Sequence, residues 1–423
     1  MTRLLYRLAW WIALPWLPLR LWWRGRREPG YRQQIGERFG RYAHASPGAS
    51  AVRGCWWIHA VSVGETRAAA PLIERIESER PGEPILLTCM TAAGRDAGHA
   101  LYGDRVRQAW LPYDVPFAVN AFLAQFAPRV GLLMETELWP TLVAAAREHG
   151  TPVFLVNARM SERSARGYAR VSSLTRPMLA SLAGVAAQTT QDAQRLEQLG
   201  ARSVAVTGNL KFDVAIPDAM RVRGAALRER FGNGRPVWLA ASTRDGEEAL
   251  ILDAMARGAL PDAALLVLVP RHPQRFDSVH ALVSARGWTC VRRSSAEAVG
   301  PGVRVVLGDT MGAMLAYCAA ADIAFVGGSL LPLGGQNLIE PIALGVPTLV
   351  GPHTFNFAEA TRHAIEAGCA RRVADADALV REVARLMQDT EPRSHIHAAA
   401  LSFHAAHRGA AQRLWAFVEA RLG

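Results

Sequence analysis

At 423 residues the chain is long enough for about two to three domains of ordinary size. A net charge of +11 and a pI near 10.1 would suit a nucleic-acid binder, yet residues 1–41, with nine arginines against Glu28 and Glu37, carry +7 of it. With the excess concentrated at one end, the remaining 382 residues only mildly basic, and no RNA or DNA module in the chain, that class is not expected.

The chain opens on LLYRLAWWIALPWLPLRLWWRGRR, where Trp10, Trp11, Trp16, Trp22 and Trp23 sit among arginines. Indole beside guanidinium is the composition of a membrane interface. Only Leu8 to Leu19 is free of charge, twelve residues against the roughly 20 that span a bilayer. A one-leaflet or barely spanning anchor over 1–30 is therefore expected, with a buried N-terminal helix as the rival. No small-residue cleavage site follows, so a removed signal peptide is not expected. Cys55, Cys89, Cys290, Cys318 and Cys369 are odd in number and have no C-x-x-C spacing, which argues against disulfides or a zinc site and fits a reducing cytoplasm.

Beyond the anchor, short apolar runs alternate with helical patterns: CWWIHAV, PILLTCM, RVGLLME, PVFLVNA, GVAAQT and SVAVTG. Runs of this length followed by helices predict buried parallel strands with crossover helices. The pattern pauses at 209–220 and restarts with PVWLAAS, ALLVLVP, GWTCVRR, VRVVLGD, IAFVGGS and PTLVGP. Two Rossmann-like halves are predicted, 31–214 and 215–405, with an amphipathic helix over 406–423 packing back across the join.

Within this frame the chemistry-bearing residues fall at strand ends. Glu65 follows Gly64 where the WWIHA strand passes into a helix, a position that suits either a helix cap or a catalytic acid. METELWP sets Glu135 and Glu137 two apart, which puts both on one side of an extended chain before a helix opening at Pro140. Lys211 in GNLKFD is the one lysine among 47 arginines, and a compact ammonium does not substitute for a planar guanidinium in a tight anion site. In the second half, Pro270 and Arg271 in LVPRHPQR, Met311, Gly312 and Ala313 in GDTMGAM, and Asn337, Leu338, Ile339 and Glu340 in GGQNLIE form strand-end loops suited to a nucleotide phosphate.

Read together, HAVSVGE, LPYD, METELWP, NARMSERS, GNLKFD, PRHPQR, GDTMGAM, FVGGS, GGQNLIE and GPHTFNF resemble the 3-deoxy-D-manno-octulosonic acid (Kdo) transferases of the lipopolysaccharide inner core. The resemblance implies a GT-B fold of two facing Rossmann-like domains. It further implies inverting transfer of Kdo from CMP-Kdo to a lipid A precursor, at the cytoplasmic face of the inner membrane and without a metal or other cofactor. By motif, Glu65 corresponds to the general base, Glu135 and Lys211 to transition-state stabilisers, and the strand-end residues of the second half to CMP contacts. GGQN and NLIE depart from the family's GGHN and NPLE, which affects only the fine donor contacts. The alternatives are a membrane-bound GT-B enzyme using another sugar nucleotide, or an inactive membrane-tethered binding protein.

Overall fold

The computed structural model describes residues 3–26, 28–42, 52–213, 216–232, 234–258, 260–295 and 297–422. The chain divides into two compact units, Met1–Asp213 with Gly409–Gly423, and Val214–Arg408. The predicted boundary at 214/215 lies outside the described residues.

Unit 1 is built on a sheet of β1 (Trp56–His59), β2 (Ile85–Cys89), β3 (Arg107–Trp110), β4 (Val130–Met134), β5 (Val153–Ala158), β6 (Gly184–Ala187) and β7 (Val204–Val206). Their order is β3-β2-β1-β4-β5-β6-β7 and every pairing is parallel. The central strands read as unbroken apolar runs because both faces are covered. The helix Ala410–Leu422 closes one face: Trp415 lies 5.0 Å from the Trp56 ring. Gly184 in β6 makes room for it, since a Cβ there would fall 2.8 Å from Phe417.

Unit 2 repeats the plan with β8 (Val237–Thr243), β9 (Leu265–Pro270), β10 (Cys290–Arg292), β11 (Val305–Leu307), β12 (Ile323–Val326), β13 (Thr348–Val350) and β14 (Ala370–Arg372). The order is β10-β11-β9-β8-β12-β13-β14, again all parallel. Both sheets reverse strand order at their centre, at β1/β4 and at β8/β12, and open parallel sheets bind ligands outside the strand ends at such a reversal. β3 and β14 are absent from the sequence prediction, and both are edge strands that carry arginine.

The N-terminal segment forms two helices, Arg3–Ala13 and Leu17–Arg24, joined by a turn at Leu14–Trp16. Among the described residues no helix is long and apolar enough to cross a membrane, which corrects the expectation of a barely spanning anchor. Pro15 and Pro18 divide the apolar stretch into two short helices. One face packs on unit 1: Leu17 and Leu21 are buried beside Tyr31 and Trp110, and the Trp10 ring lies 5.8 Å from Tyr113. The opposite face leaves Leu4, Trp11, Ile12, Trp16, Leu19 and Trp23 more than half exposed.

Candidate active site

Glu65 sits in the first turn of the helix Val63–Ala68, directly after β1. Ser62 caps that helix: its Oγ accepts from the Glu65 N–H at 3.4 Å and donates to Glu65 Oε1 at 2.7 Å, while Val61 N–H donates to Oε2 at 2.9 Å. This is a variant of the capping box, with the carboxylate bonded to Val61 N–H and the Ser62 hydroxyl in place of the Ser62 N–H, so the helix-cap role is real and fixes where the carboxylate points. Glu65 is 9% exposed. Burial pushes its pKa up, the bonds from Ser62 and Val61 pull it down, and the nearby charges of Glu135 and Glu137 add to the rise.

Glu135 and Glu137 follow β4, the strand on the other side of the reversal from β1. The expected extended geometry is corrected here. Glu135 has φ +56°, a left-handed turn, and Glu137 N–H bonds back to Met134 O at 3.3 Å. The two acids consequently have different partners. Glu135 Oε1 accepts from Lys211 Nζ at 3.0 Å. Glu137 Oε2 accepts from Trp139 Nε1 at 3.0 Å and lies 3.8 Å from His59 Nε2. The next helix opens at Pro140 as predicted, and buried Asp114 caps it by accepting from Thr141 and Leu142 N–H at 2.9 and 2.7 Å.

Lys211 lies in a single turn, Leu210–Phe212, whose backbone is held on three sides. Asn209 Oδ1 accepts from Lys211 N–H, Asn157 Oδ1 accepts from Leu210 N–H, and Asp213 accepts from Gly409 and Ala411 N–H at 2.6 and 2.5 Å. Asp213 thereby ties the lysine turn to the closing helix. Of these anchors the sequence reading singles out none. The polar residues at β5's end in NAR, and the acid closing LKFD, were the available signals.

In unit 2 the predicted residues gather at the carboxyl ends of neighbouring strands. Pro270 ends β9, and Arg271 N–H donates to Thr243 O at 2.9 Å. Met311, 69% exposed, and Gly312, φ +72°, follow β11, and Ala313 caps the helix Met314–Ala320. Asn337 Oδ1 accepts from Ile339 N–H at 3.0 Å, and its Nδ2 donates to Glu340 Oε1 at 3.1 Å. Leu338 and Ile339 are buried, so their side chains belong to the core of unit 2. His272 is pushed down in pKa by burial and by the Arg244, Arg271 and Arg275 guanidinium groups, which marks a positive potential at these strand ends.

One organising residue escapes the sequence reading. Glu247, fully buried after β8, accepts from Arg244, Gly328 and Leu330 N–H at 2.8, 2.5 and 2.9 Å. It binds the loop after β8 to the glycine loop after β12, across the strand reversal. Gly327 permits that approach, because a Cβ there would sit 2.6 Å from Ser242 O. The stretch DGEE, acids behind a glycine at a helix start, was the signal.

Residues 33–214 match the model of the family described as 3-Deoxy-D-manno-octulosonic-acid transferase (kdotransferase). The 3-deoxy-D-manno-octulosonic acid transferase of Bordetella pertussis is 46% identical, with 100% of both chains covered. That of Haemophilus influenzae is 37% identical over 92% of this chain and 91% of its own. Among solved structures, Anabaena HepE in complex with UDP is similar in fold, with TM-score 0.56 at 13% identity, covering 86% of this chain and 99% of that one. A putative UDP-N-acetylglucosamine 2-epimerase from Listeria monocytogenes is likewise similar, with TM-score 0.54 at 15% identity over 87% and 96%. The chain belongs to the Kdo transferase family and is a glycosyltransferase.

Proposed function

We propose that the chain transfers Kdo from CMP-Kdo to a lipid A precursor, lipid IVA, with inversion at the anomeric carbon, in assembly of the lipopolysaccharide inner core. The observation that carries this reading is the convergence of Glu65 and the Lys211–Glu135 pair at the β1/β4 reversal of unit 1. Glu65, ionised and raised in pKa by burial, takes the proton from the acceptor hydroxyl. That oxygen attacks the anomeric carbon as the bond to the CMP phosphate breaks, and CMP leaves with the bonding electrons. Lys211 supplies positive charge to the Kdo carboxylate, and Glu135 fixes the ammonium at 3.0 Å.

The strand-end loops of unit 2 hold CMP. Arg271 meets the phosphate, backbone around Gly312 and Leu338 closes on the nucleotide, and Glu340 is placed for ribose hydroxyls. Every charge in this scheme comes from side chains, so the reaction needs no metal. The exposed apolar face of the N-terminal helices, flanked by Arg7 and Arg20, lies on the cytoplasmic leaflet of the inner membrane, where the lipid acceptor is.

Mass spectrometry of lipid IVA incubated with the protein and a panel of sugar nucleotides tests the reading. Kdo addition with CMP-Kdo alone, at a rate unchanged by EDTA, is expected. Consumption of another sugar nucleotide in preference would replace the donor assignment, and loss of rate in EDTA would overturn the metal-free scheme.

A further inference from the structure

The edge of unit 2's sheet opposite the strand-end loops has a site of its own. The amino-terminal ends of β12 and β13 open into a cleft of about 480 Å³, within the size range of small-molecule sites. Two helices wall it. Asp218–Phe231 contributes Arg221, Ala225 and Arg228, spaced i, i+4 and i+7, and Thr390–His407 contributes Arg393 and His397, spaced i and i+4. Residues so spaced share a helix face. Gly224 lets the first helix lie close against Met314–Ala320, since a Cβ there would be 2.5 Å from Ala319 Cβ.

Charge in the cleft is unbalanced. Asp322 is its only lining acid among the described residues, and it is already occupied: Oδ2 accepts from Arg228 Nη1 at 2.9 Å and from Val237 N–H at 2.8 Å. Arg228 also donates to Ala320 O at 3.2 Å and so is fixed in place. Arg221 and Arg393 have no hydrogen-bond or ion-pair partner among the described residues. His397 Nδ1 is turned to Gly345 O at 2.7 Å, which holds the ring at the cleft wall. Ser394 adds a hydroxyl to the lining. Two unpartnered guanidinium groups beside a third that is braced supply the donor chemistry that phosphate oxygens take.

We propose that this cleft is a second anion site, which takes a phosphate monoester or diphosphate and is separate from the nucleotide loops on the other edge of the sheet. A soluble phosphorylated metabolite and a phospholipid headgroup share that chemistry. The inference rests on the cleft alone and not on the donor or acceptor assigned above.

Calorimetric titration of the full chain with pyrophosphate, in the presence of excess CMP, tests it with three proteins: wild type, the Arg221→Ala/Arg393→Ala double variant, and Arg271→Ala. Saturable binding is expected in wild type and in Arg271→Ala, with affinity at least tenfold weaker in the double variant. The ligand-free melting temperature of the double variant should match wild type, because neither arginine has an intramolecular partner. Absence of saturable binding in wild type, or equal affinity in the double variant, overturns the proposal. Binding lost in Arg271→Ala but kept in the double variant would place the anion at the nucleotide loops and also overturn it. Displacement of pyrophosphate by phosphatidylcholine vesicles containing phosphatidic acid, and not by phosphatidylcholine alone, assigns a headgroup; no displacement by either assigns a soluble phosphate.

Discussion

Glu65 combines two roles that the sequence presents as rivals. Ser62 and Val61 hold both of its oxygens, and a carboxylate oxygen so held keeps a second lone pair for a proton. Glu65→Gln preserves these acceptor bonds in part and removes the basic oxygen, so turnover should fall by about 100-fold or more while CMP affinity is retained. Wild-type turnover in that variant would leave Glu65 as a cap alone. The pH profile carries an independent signature. Burial raises the Glu65 pKa, so the carboxyl takes up its proton above the usual glutamate range, and turnover should decline as pH falls through that raised value. The corresponding stability term has the opposite sense: the folded state holds the proton more tightly than the unfolded chain, so stability is lost as pH rises through the same window. Lys211→Arg tests the other half of the site. It keeps the charge but cannot keep the compact contact with Glu135 Oε1, so activity should drop sharply with little change in melting temperature; comparable kinetics at saturating CMP-Kdo would remove Lys211 from the mechanism. At this scale the residues whose type is chemically unusual, a lone lysine and an acid on a glycine turn, are readable in the sequence. Asn157, Asp213 and Glu247 show only as polar residues at element ends, because the backbone each one holds belongs to a segment remote in the chain.

Secondary structure shows the same division between near and far. The apolar runs locate β1, β2 and β4 to β13, since strands buried on both faces admit few polar residues. β3 and β14 escape because they contain no apolar run: Arg107 and Gln108 open the first, and Arg371 and Arg372 end the second, charge that an edge strand with one neighbour tolerates. The extended reading of METELWP fails for a related reason, as the left-handed turn at Glu135 is held by Val156 O and Arg159 N–H, both contributed by the neighbouring chain segment. The loop braced by Glu247 is where an element-level change should be felt most. Glu247→Ala leaves three backbone N–H groups without their buried acceptor, and each orphaned donor costs about 1–3 kcal/mol. Unit 2 should therefore melt earlier and bind CMP more weakly, whereas Glu247→Gln, which keeps an acceptor oxygen, should lose less; a Glu247→Ala protein with unchanged melting and CMP affinity would refute the bracing role.

Across the whole molecule, the N-terminal helices belong to unit 1 on one face and are open on the other, so interface binding and folding can be separated by mutation. Ile12→Ser/Trp16→Ser/Leu19→Ser changes only exposed apolar side chains and should reduce co-flotation with anionic vesicles by about tenfold without lowering the melting temperature. Leu21→Ala, in the buried face, should instead cost about 2–5 kcal/mol of stability and leave flotation intact in the folded fraction. Equal flotation of the triple variant and wild type would move the membrane contact elsewhere. The helix Ala410–Leu422 sets a further condition. It covers Trp56, and through Asp213 it secures the turn that carries Lys211, yet all of Val214–Arg408 precedes it in the chain. During synthesis, unit 2 can fold as soon as it clears the ribosome, while the first-made unit waits with an uncovered tryptophan and a loose lysine turn. A released chain truncated after Arg408 should accordingly yield a protease-resistant fragment from Val214 onward and a labile one before it. Release of the closing helix, and not completion of unit 1's own sheet, would be the event that makes the enzyme competent.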